Sequence, residues 1–244
     1  MTGVQTCALP ISIVDPAYEP LPAIEREAGA EQIVAFQPDV VILKSFLADS
    51  LGAAIEALEI PVVYLDLETP EQYVRDIQIL GQIMGQEARA EEILDYYQSQ
   101  QETIAEATTD LTAGERPRVL LLQYSSRGGE IAFNVPPVAW IQTLMVEQAG
   151  GEPLWSQAAE TGGWAVVNFE QIAAWNPDQI FIVDYFSNVD ETVAGLAADP
   201  QWQALQAVQQ GQIYAFPKDF YSWDQPDTRW ILGQTWLATR VQPD

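Results

Sequence analysis

The sequence predicts an α/β protein of two like lobes, each built on a parallel sheet and joined by a long rigid helix. Three observations predict it. A nine-residue phrase occurs twice, EQIVAFQPD at 31–39 and EQIAAWNPD at 170–178, identical at six positions. Each copy runs into an apolar stretch and then into alternating helical and strand-like segments, the order that covers both faces of a parallel sheet with helices. Between the copies lies a helical stretch with no glycine or proline from Glu87 until Gly114. The 244 residues divide accordingly into an N-terminal lobe at 13–68, helices with the inter-lobe strut at 69–114, and a C-terminal lobe at 115–244.

In each copy a short helix meets its proline, turns at Pro-Asp and enters a strand. The first strand is Val40–Leu43, ending at Lys44-Ser45-Phe46, and a helix over Asp49–Leu58 leads to a second strand, Ile60–Leu65. Thr69-Pro70-Glu71 opens the next helix with a cap and a proline at its first position. Val74, Ile77, Ile79, Leu80 and Ile83 keep its helical period as far as Gly85. On the helix after it, Ala90, Ile93, Leu94, Tyr97, Ile104 and Ala107 form one stripe. Arg118–Gln123 is a buried strand that opens the second lobe. Gln179–Val183 follows the second copy and ends at Asp184-Tyr185-Phe186. A helical stretch with Trp202 comes next, and then the strand Gln212–Phe216, entered through Gly211.

Composition excludes much. Ten basic residues face thirty-five acidic ones, a net charge of −25, so the surface repels phosphate backbones and nucleic acid is not a partner. There is no histidine, which removes most zinc sites, imidazole acid–base chemistry and any Ser-His-Asp triad. The opening MTGVQTCALPI (Met1–Ile11) matches the translation of a common sequencing-library adapter and runs into Ser12 by a partial codon. Residues 1–12 are therefore set aside as an artefact, and Cys7, the single cysteine, with them; the other reading is a short apolar strand. Gly128-Gly129 lacks the spacing of a nucleotide-binding loop and forms a turn. Glu31 and Glu170 look like catalytic twins, but each begins a helix, where a carboxylate meets the positive helix end.

The ordered set FQPDVVIL, EIPVVYLD, TPEQYVRDIQILGQIMG, the long helix after it, and the closing DPQWQALQAVQQGQIYAFPKDFYSWDQPDTRWILGQTWLA carries a family likeness. It resembles the bacterial and archaeal substrate-binding proteins of ABC importers that capture iron–siderophore complexes, vitamin B12 and related chelates. The resemblance covers residues 13–244 and lacks the family's opening strand and helix, which implies an N-terminally truncated member. It implies two Rossmann-like lobes with a ligand cleft between them. It also implies a metal-chelate ligand (a corrinoid included), a permease as partner, a monomer, no cofactor and no catalysis. The location it implies is the periplasm, or the outer face of the membrane as a lipoprotein, with the signal sequence not visible.

In open α/β sheets ligands sit beyond the carboxyl ends of the strands, and the family's contacts fall at similar loop positions. The candidate ligand-binding residues are therefore Lys44, Ser45 and Phe46; Tyr124 and Arg127; Tyr185 and Phe186; and Tyr221 and Trp223. Trp140 and Trp164 join them from segments that resemble cleft-lining loops. Aromatic faces cover apolar ligand surface while a few polar groups set orientation. Lys44 and Arg127 pair either with a net-negative chelate or with surface carboxylates. Trp140 and Trp164 either contact ligand or pack the core, and Arg229 is placed to brace the last helix. Asp49, Asp190 and Glu191 occupy the outer positions at which the family meets basic pockets of the permease. No metal ligands are assigned in the protein.

Bare zinc or manganese is disfavoured without histidine. A molybdate or tungstate oxyanion on the same scaffold stays open, with the many aromatics favouring a larger ligand. A two-lobed intracellular α/β enzyme should show a phosphate-cradling glycine loop or cluster-binding cysteines, and neither is visible. A sensor that kept the fold is not separable by sequence; neighbouring permease and ATPase genes separate it.

Overall fold

The computed structural model describes residues 22, 24–25, 27–112, 114–126, 130–159, 163–219 and 221–242. The artefact expected at 1–12, Arg127 and the Gly128-Gly129 turn lie outside the described residues. The chain divides into two compact units, one ending at Asp66 and one running Leu67–Asp244.

In the smaller unit helix α1 (Ala30–Val34) leads to strand β1 (Val41–Leu43), which pairs in parallel with β2 (Val62–Tyr64). Its buried centre is Ile33, Val41 and Ile55. The strand expected to be buried is covered on one face only, with Ile42 39% exposed. The helix expected over 49–58 is instead a composite: a 3-10 turn at Ser45–Leu47, a π turn at Ala48–Gly52, and α2 (Ala53–Glu56). Gly52 is the reason this segment can lie so close to β2, since a Cβ there would stand 2.1 Å from the Tyr64 hydroxyl oxygen.

The larger unit opens with α3 (Pro70–Met84). The Thr69 hydroxyl accepts the Gln72 N–H at 3.2 Å, and the helix stops at Gly85 in the left-handed conformation, φ 60°. Its buried face is Tyr73, Asp76, Ile77 and Gly81, while Val74 and Ile83 of the expected stripe are exposed. The rotation follows from Gly81, where a Cβ would come within 2.7 Å of Ala90 on α4 (Glu87–Thr108), so the row Tyr73–Ile77–Gly81 meets the neighbouring helix. Asp76 is buried on that face because its carboxylate accepts the Leu67 N–H at 2.9 Å and pairs with Arg75 at 2.6 Å. On α4 the buried row is Ala90, Tyr97 and Ile104; Ala107 is exposed. Tyr97 packs on Trp230 of the last helix at 5.2 Å between ring centroids, so α4 is built into this unit's own core.

The sheet of this unit comprises β3 (Arg118–Ser125), β4 (Ala132–Val135), β5 (Glu152–Pro153), β6 (Ala165–Val167), β7 (Gln179–Val183) and β8 (Ile213–Ala215). The order is β6-β4-β3-β7-β8, with β5 beside the start of β3. β3, β7 and β8 are parallel, and β7, flanked on both sides, is buried at all five positions. β4 is antiparallel to both β3 and β6, an extension not anticipated from the sequence. These strands are short and partly exposed, Val166 at 73%, and carry no continuous apolar run to announce them. Helices α5 (Ile141–Gln148), α6 (Phe169–Trp175), α7 (Val189–Ala198), α8 (Gln206–Gln209) and α9 (Trp230–Val241) complete the unit.

The repeated phrase follows the same course in both places, with the second helix about two residues longer at its end. Helix α1 feeds β1 and α6 feeds β7, and the residue before the proline is left-handed each time: Gln37 at φ 53° and Asn176 at φ 44°. In the second copy the Asp178 carboxylate accepts the Arg118 N–H at 2.8 Å, tying the turn to β3.

Candidate functional site

Beyond β7 the chain turns on Asp184, which is 2% exposed. Its Oδ1 accepts the backbone N–H groups of Phe186 and Ser187, both at 2.9 Å, and its Oδ2 accepts the Thr192 hydroxyl at 2.8 Å. This side-chain-closed turn holds Tyr185 and Phe186 in place. Beyond β8 a second loop runs from Pro217 to Arg229. Lys218 donates to the carbonyls of Asp184, at 3.1 Å, and of Ser187, so the two loops are tied together. Trp223 presses its backbone onto α9 at Gly233, where a Cβ would lie 2.5 Å from the Trp223 carbonyl oxygen.

With Trp140, which caps α5, and Trp164, which precedes β6, these loops assemble an aromatic face. Trp140 meets Trp164 edge-on at 6.2 Å, and Trp164 meets Tyr185 edge-on at 6.4 Å. Tyr185 meets Phe186 edge-on at 6.1 Å and stacks on Tyr221 at 6.2 Å with 18° between the planes. The Arg229 guanidinium sits 5.7 Å from the centroid of the Tyr221 ring. Phe186 is 46% and Tyr221 39% exposed; Trp140, Trp164 and Tyr185 are half-buried. The face thus reaches solvent from an anchored base.

Carboxylates hold it from beneath. Tyr185 donates its hydroxyl at 2.7 Å to Oδ2 of Asp224, which is fully buried and whose carbonyl accepts from Gln142 at 2.9 Å. Burial pushes the Asp224 carboxyl up, partly offset by the neighbouring Ser222 and Tyr185 hydroxyls. Burial, and then the Asp224 charge, pushes the Tyr185 hydroxyl well above its usual value. Asp219 accepts the Tyr221 N–H at 3.1 Å, the Trp223 indole N–H at 3.3 Å and Arg229 at 3.0 Å. Burial raises the Asp219 carboxyl, but the Tyr221 amide, the Trp223 indole and Arg229 outweigh it and hold the group below the usual range. Arg229 also pairs with Asp227.

Of the predicted residues, Trp140, Trp164, Tyr185, Phe186 and Tyr221 come together, with Trp223 held at their side through Asp219. Tyr124 does not join this chain of rings; it packs on Phe133, which packs on Trp202. In the smaller unit Lys44 donates to the Asp66 carbonyl, Ser45 donates its N–H and hydroxyl to the Asp66 carboxylate at 2.8 and 2.6 Å, and Phe46 is 79% exposed. Asp49 is exposed on the π turn. Asp190 and Glu191 are exposed in the first turn of α7, bonded by the Asn188 cap through the Asp190 N–H and the Glu191 carboxylate. Asp219, Asp224 and Gln142 were not singled out from sequence. The signal available was local for Asp219 and Asp224, acids set between aromatics in KDFYSWD, and absent for Gln142.

Two open grooves lie elsewhere on this unit, about 520 Å³ beside Arg116 and Gln148 and about 480 Å³ over Tyr73, Tyr97 and Trp230; neither includes a predicted site residue. Among the described residues no group of His, Cys, Asp or Glu is placed to hold a metal ion, and no helix is long and apolar enough to cross a membrane.

The periodicity and geometry agree with known proteins. The periplasmic binding protein family matches residues 25–220. The molybdate-binding protein MolA of Haemophilus influenzae is 22% identical over 91% of this chain and 66% of its own length. The iron-uptake system-binding protein of Bacillus subtilis is 23% identical over 78% of this chain and 58% of its own. The chain thus spans two thirds or less of the length of these curated relatives. A solved periplasmic solute binding protein from Veillonella parvula superposes with a TM-score of 0.75 at 24% identity, over 96% of this chain and 70% of that one, and so shares the fold.

Proposed function

The chain belongs to the periplasmic binding protein family, and on that premise we propose that it is the substrate-binding protein of an ABC transporter, capturing an iron–siderophore or related metal chelate and delivering it to the permease. The observation that carries this reading is the aromatic face Trp140–Trp164–Tyr185–Phe186–Tyr221. Five rings joined through Tyr185, partly exposed and anchored by buried carboxylates, offer broad apolar area at low entropic cost, as a bulky ligand requires. Trp223, whose indole is held by Asp219, is assigned to the ligand with them; Lys44, Ser45, Phe46, Tyr124 and Arg127 are assigned to the ligand on their strand-end positions alone. The name of the B. subtilis relative, iron uptake, supports a ferric ligand. Asp49, Asp190 and Glu191 are the proposed permease contacts, and the protein works outside the cytoplasmic membrane as a binder rather than an enzyme.

A second reading, a molybdate or tungstate oxyanion, is favoured by the similarity to MolA. Titration separates the two. Binding of ferric hydroxamate, ferric catecholate, cobalamin and molybdate is followed by the emission of the eight tryptophans and by equilibrium dialysis. A chelate is expected to bind, and Trp164→Ala to weaken it by about tenfold or more, equivalent to roughly 1.4 kcal/mol. Binding of molybdate alone would establish the second reading, and no binding of any probe would overturn both.

A further inference from the structure

We infer that the aromatic face selects a ligand presenting a neutral or positively charged surface and turns away anions, because the loop amides, the Tyr185 hydroxyl, the Trp223 indole and Arg229 are already matched by the protein's own aspartates, and Lys218 by backbone carbonyls. This rests on the proposal that the face holds the ligand.

An anion needs donors, and those of the two loops below are engaged. The amides of Phe186 and Ser187 are given to Asp184, at 2.9 Å each. The Tyr221 amide and the Trp223 indole are given to Asp219, at 3.1 and 3.3 Å. The Tyr185 hydroxyl is given to Asp224 at 2.7 Å. Arg229, which lies over the Tyr221 ring, is matched by two carboxylates, Asp219 at 3.0 Å and Asp227. Lys218 is turned onto the carbonyls of Asp184 and Ser187. To reach these donors an incoming anion would have to displace a carboxylate already held in good geometry, one charge for another.

The field points the same way. Segments 184–192 and 217–229 carry two basic and six acidic side chains, within a chain of net charge −25. Negative potential over ring faces that themselves attract cations favours positive ligand surface and slows approach of anions. The smaller unit repeats the arrangement independently: the Ser45 N–H and hydroxyl, which follow β1, are given to the Asp66 carboxylate at 2.8 and 2.6 Å.

The test is calorimetric titration of the whole protein, at low and physiological salt, with four probes of different charge. They are a singly positive ferric trihydroxamate, neutral cyanocobalamin, a triply negative ferric tricatecholate, and molybdate. The positive or the neutral probe is expected to bind at least about tenfold tighter than either anion, with the margin over the anions narrowing as salt is added. Tighter binding of the tricatecholate or molybdate, or equal affinity across the charges, overturns the charge assignment and leaves the ligand-binding role of the face standing. No binding of any probe overturns that role, and this inference with it.

Discussion

Tyr185→Phe isolates the polar anchor of the aromatic face, because it removes one hydroxyl and keeps the ring that stacks on Tyr221. The lost hydrogen bond, 2.7 Å long, goes to a carboxylate with no solvent exposure. A bond to a buried charged group is worth about 1.5–3 kcal/mol, and for a chain of this size each kcal/mol moves the melting temperature by about 2–4 °C. A loss of about 2 kcal/mol and 4–8 °C is therefore expected at pH 7. The sign of its pH dependence follows from Asp224. Burial raises this carboxyl, so the folded state holds the proton more tightly than the unfolded chain. Stability from the group is full below the ordinary aspartate range and is lost as pH rises through the raised value. Tyr185 favours the ionised form; removing it lifts Asp224 further and costs most where the carboxylate is charged. The assay is urea unfolding of wild type, Tyr185→Phe, Asp224→Asn and the double variant at pH 7 and at about pH 3.5, below the ordinary aspartate value. The Tyr185→Phe loss should be smaller at the lower pH, and the two sites should couple by about 1–2 kcal/mol at pH 7. An equal loss at both pH values, or strict additivity of the pair, would refute the reasoning.

Three further outcomes are expected. Gly233→Ala places a Cβ 2.5 Å from the Trp223 carbonyl oxygen and 3.0 Å from the Met145 methyl; it should cost about 1–3 kcal/mol and shift tryptophan emission as the Trp223 loop moves, and unchanged melting and emission would count against that packing. Gln37→Gly relieves a left-handed residue at φ 53° and should stabilise the smaller unit by a few tenths to about 1 kcal/mol, read by hydrogen exchange of its amides; faster exchange would contradict it. Asp76→Asn removes a charge with no solvent exposure that accepts the Leu67 N–H and pairs with Arg75. It should lower the melting temperature by an amount equivalent to about 1–3 kcal/mol, and a neutral result in thermal melts would show that the buried pair contributes nothing.

Much of the chain was legible because its signals are local. The Thr69-Pro70 start and Gly85 stop bound α3 within their own few residues, as turn and cap chemistry does. The two copies of the Pro-Asp phrase announced β1 and β7 for the same reason, since helix, left-handed residue and turn are all contained in nine positions. Tyr185, Phe186 and Tyr221 were singled out as candidates because loops beyond parallel strands are where such sheets place ligands.

What local signals do not carry is which distant surfaces meet. Gly81 turned α3 so that Asp76, rather than Val74, is buried, a choice made by the approach of Ala90 across the helix pair. The antiparallel strands β4 and β6 are specified by pairing partners, and their few residues are too exposed to declare themselves. Asp224 is an acid in an aromatic loop until the fold buries it beneath Tyr185. The repeat, the order of the elements and the loops that bear aromatics are written locally, because each depends on neighbours along the chain. That Trp140, Trp164, Tyr185 and Tyr221 form one face while Tyr124 belongs to another cluster emerges only on folding, because those contacts depend on sheet order and helix rotation.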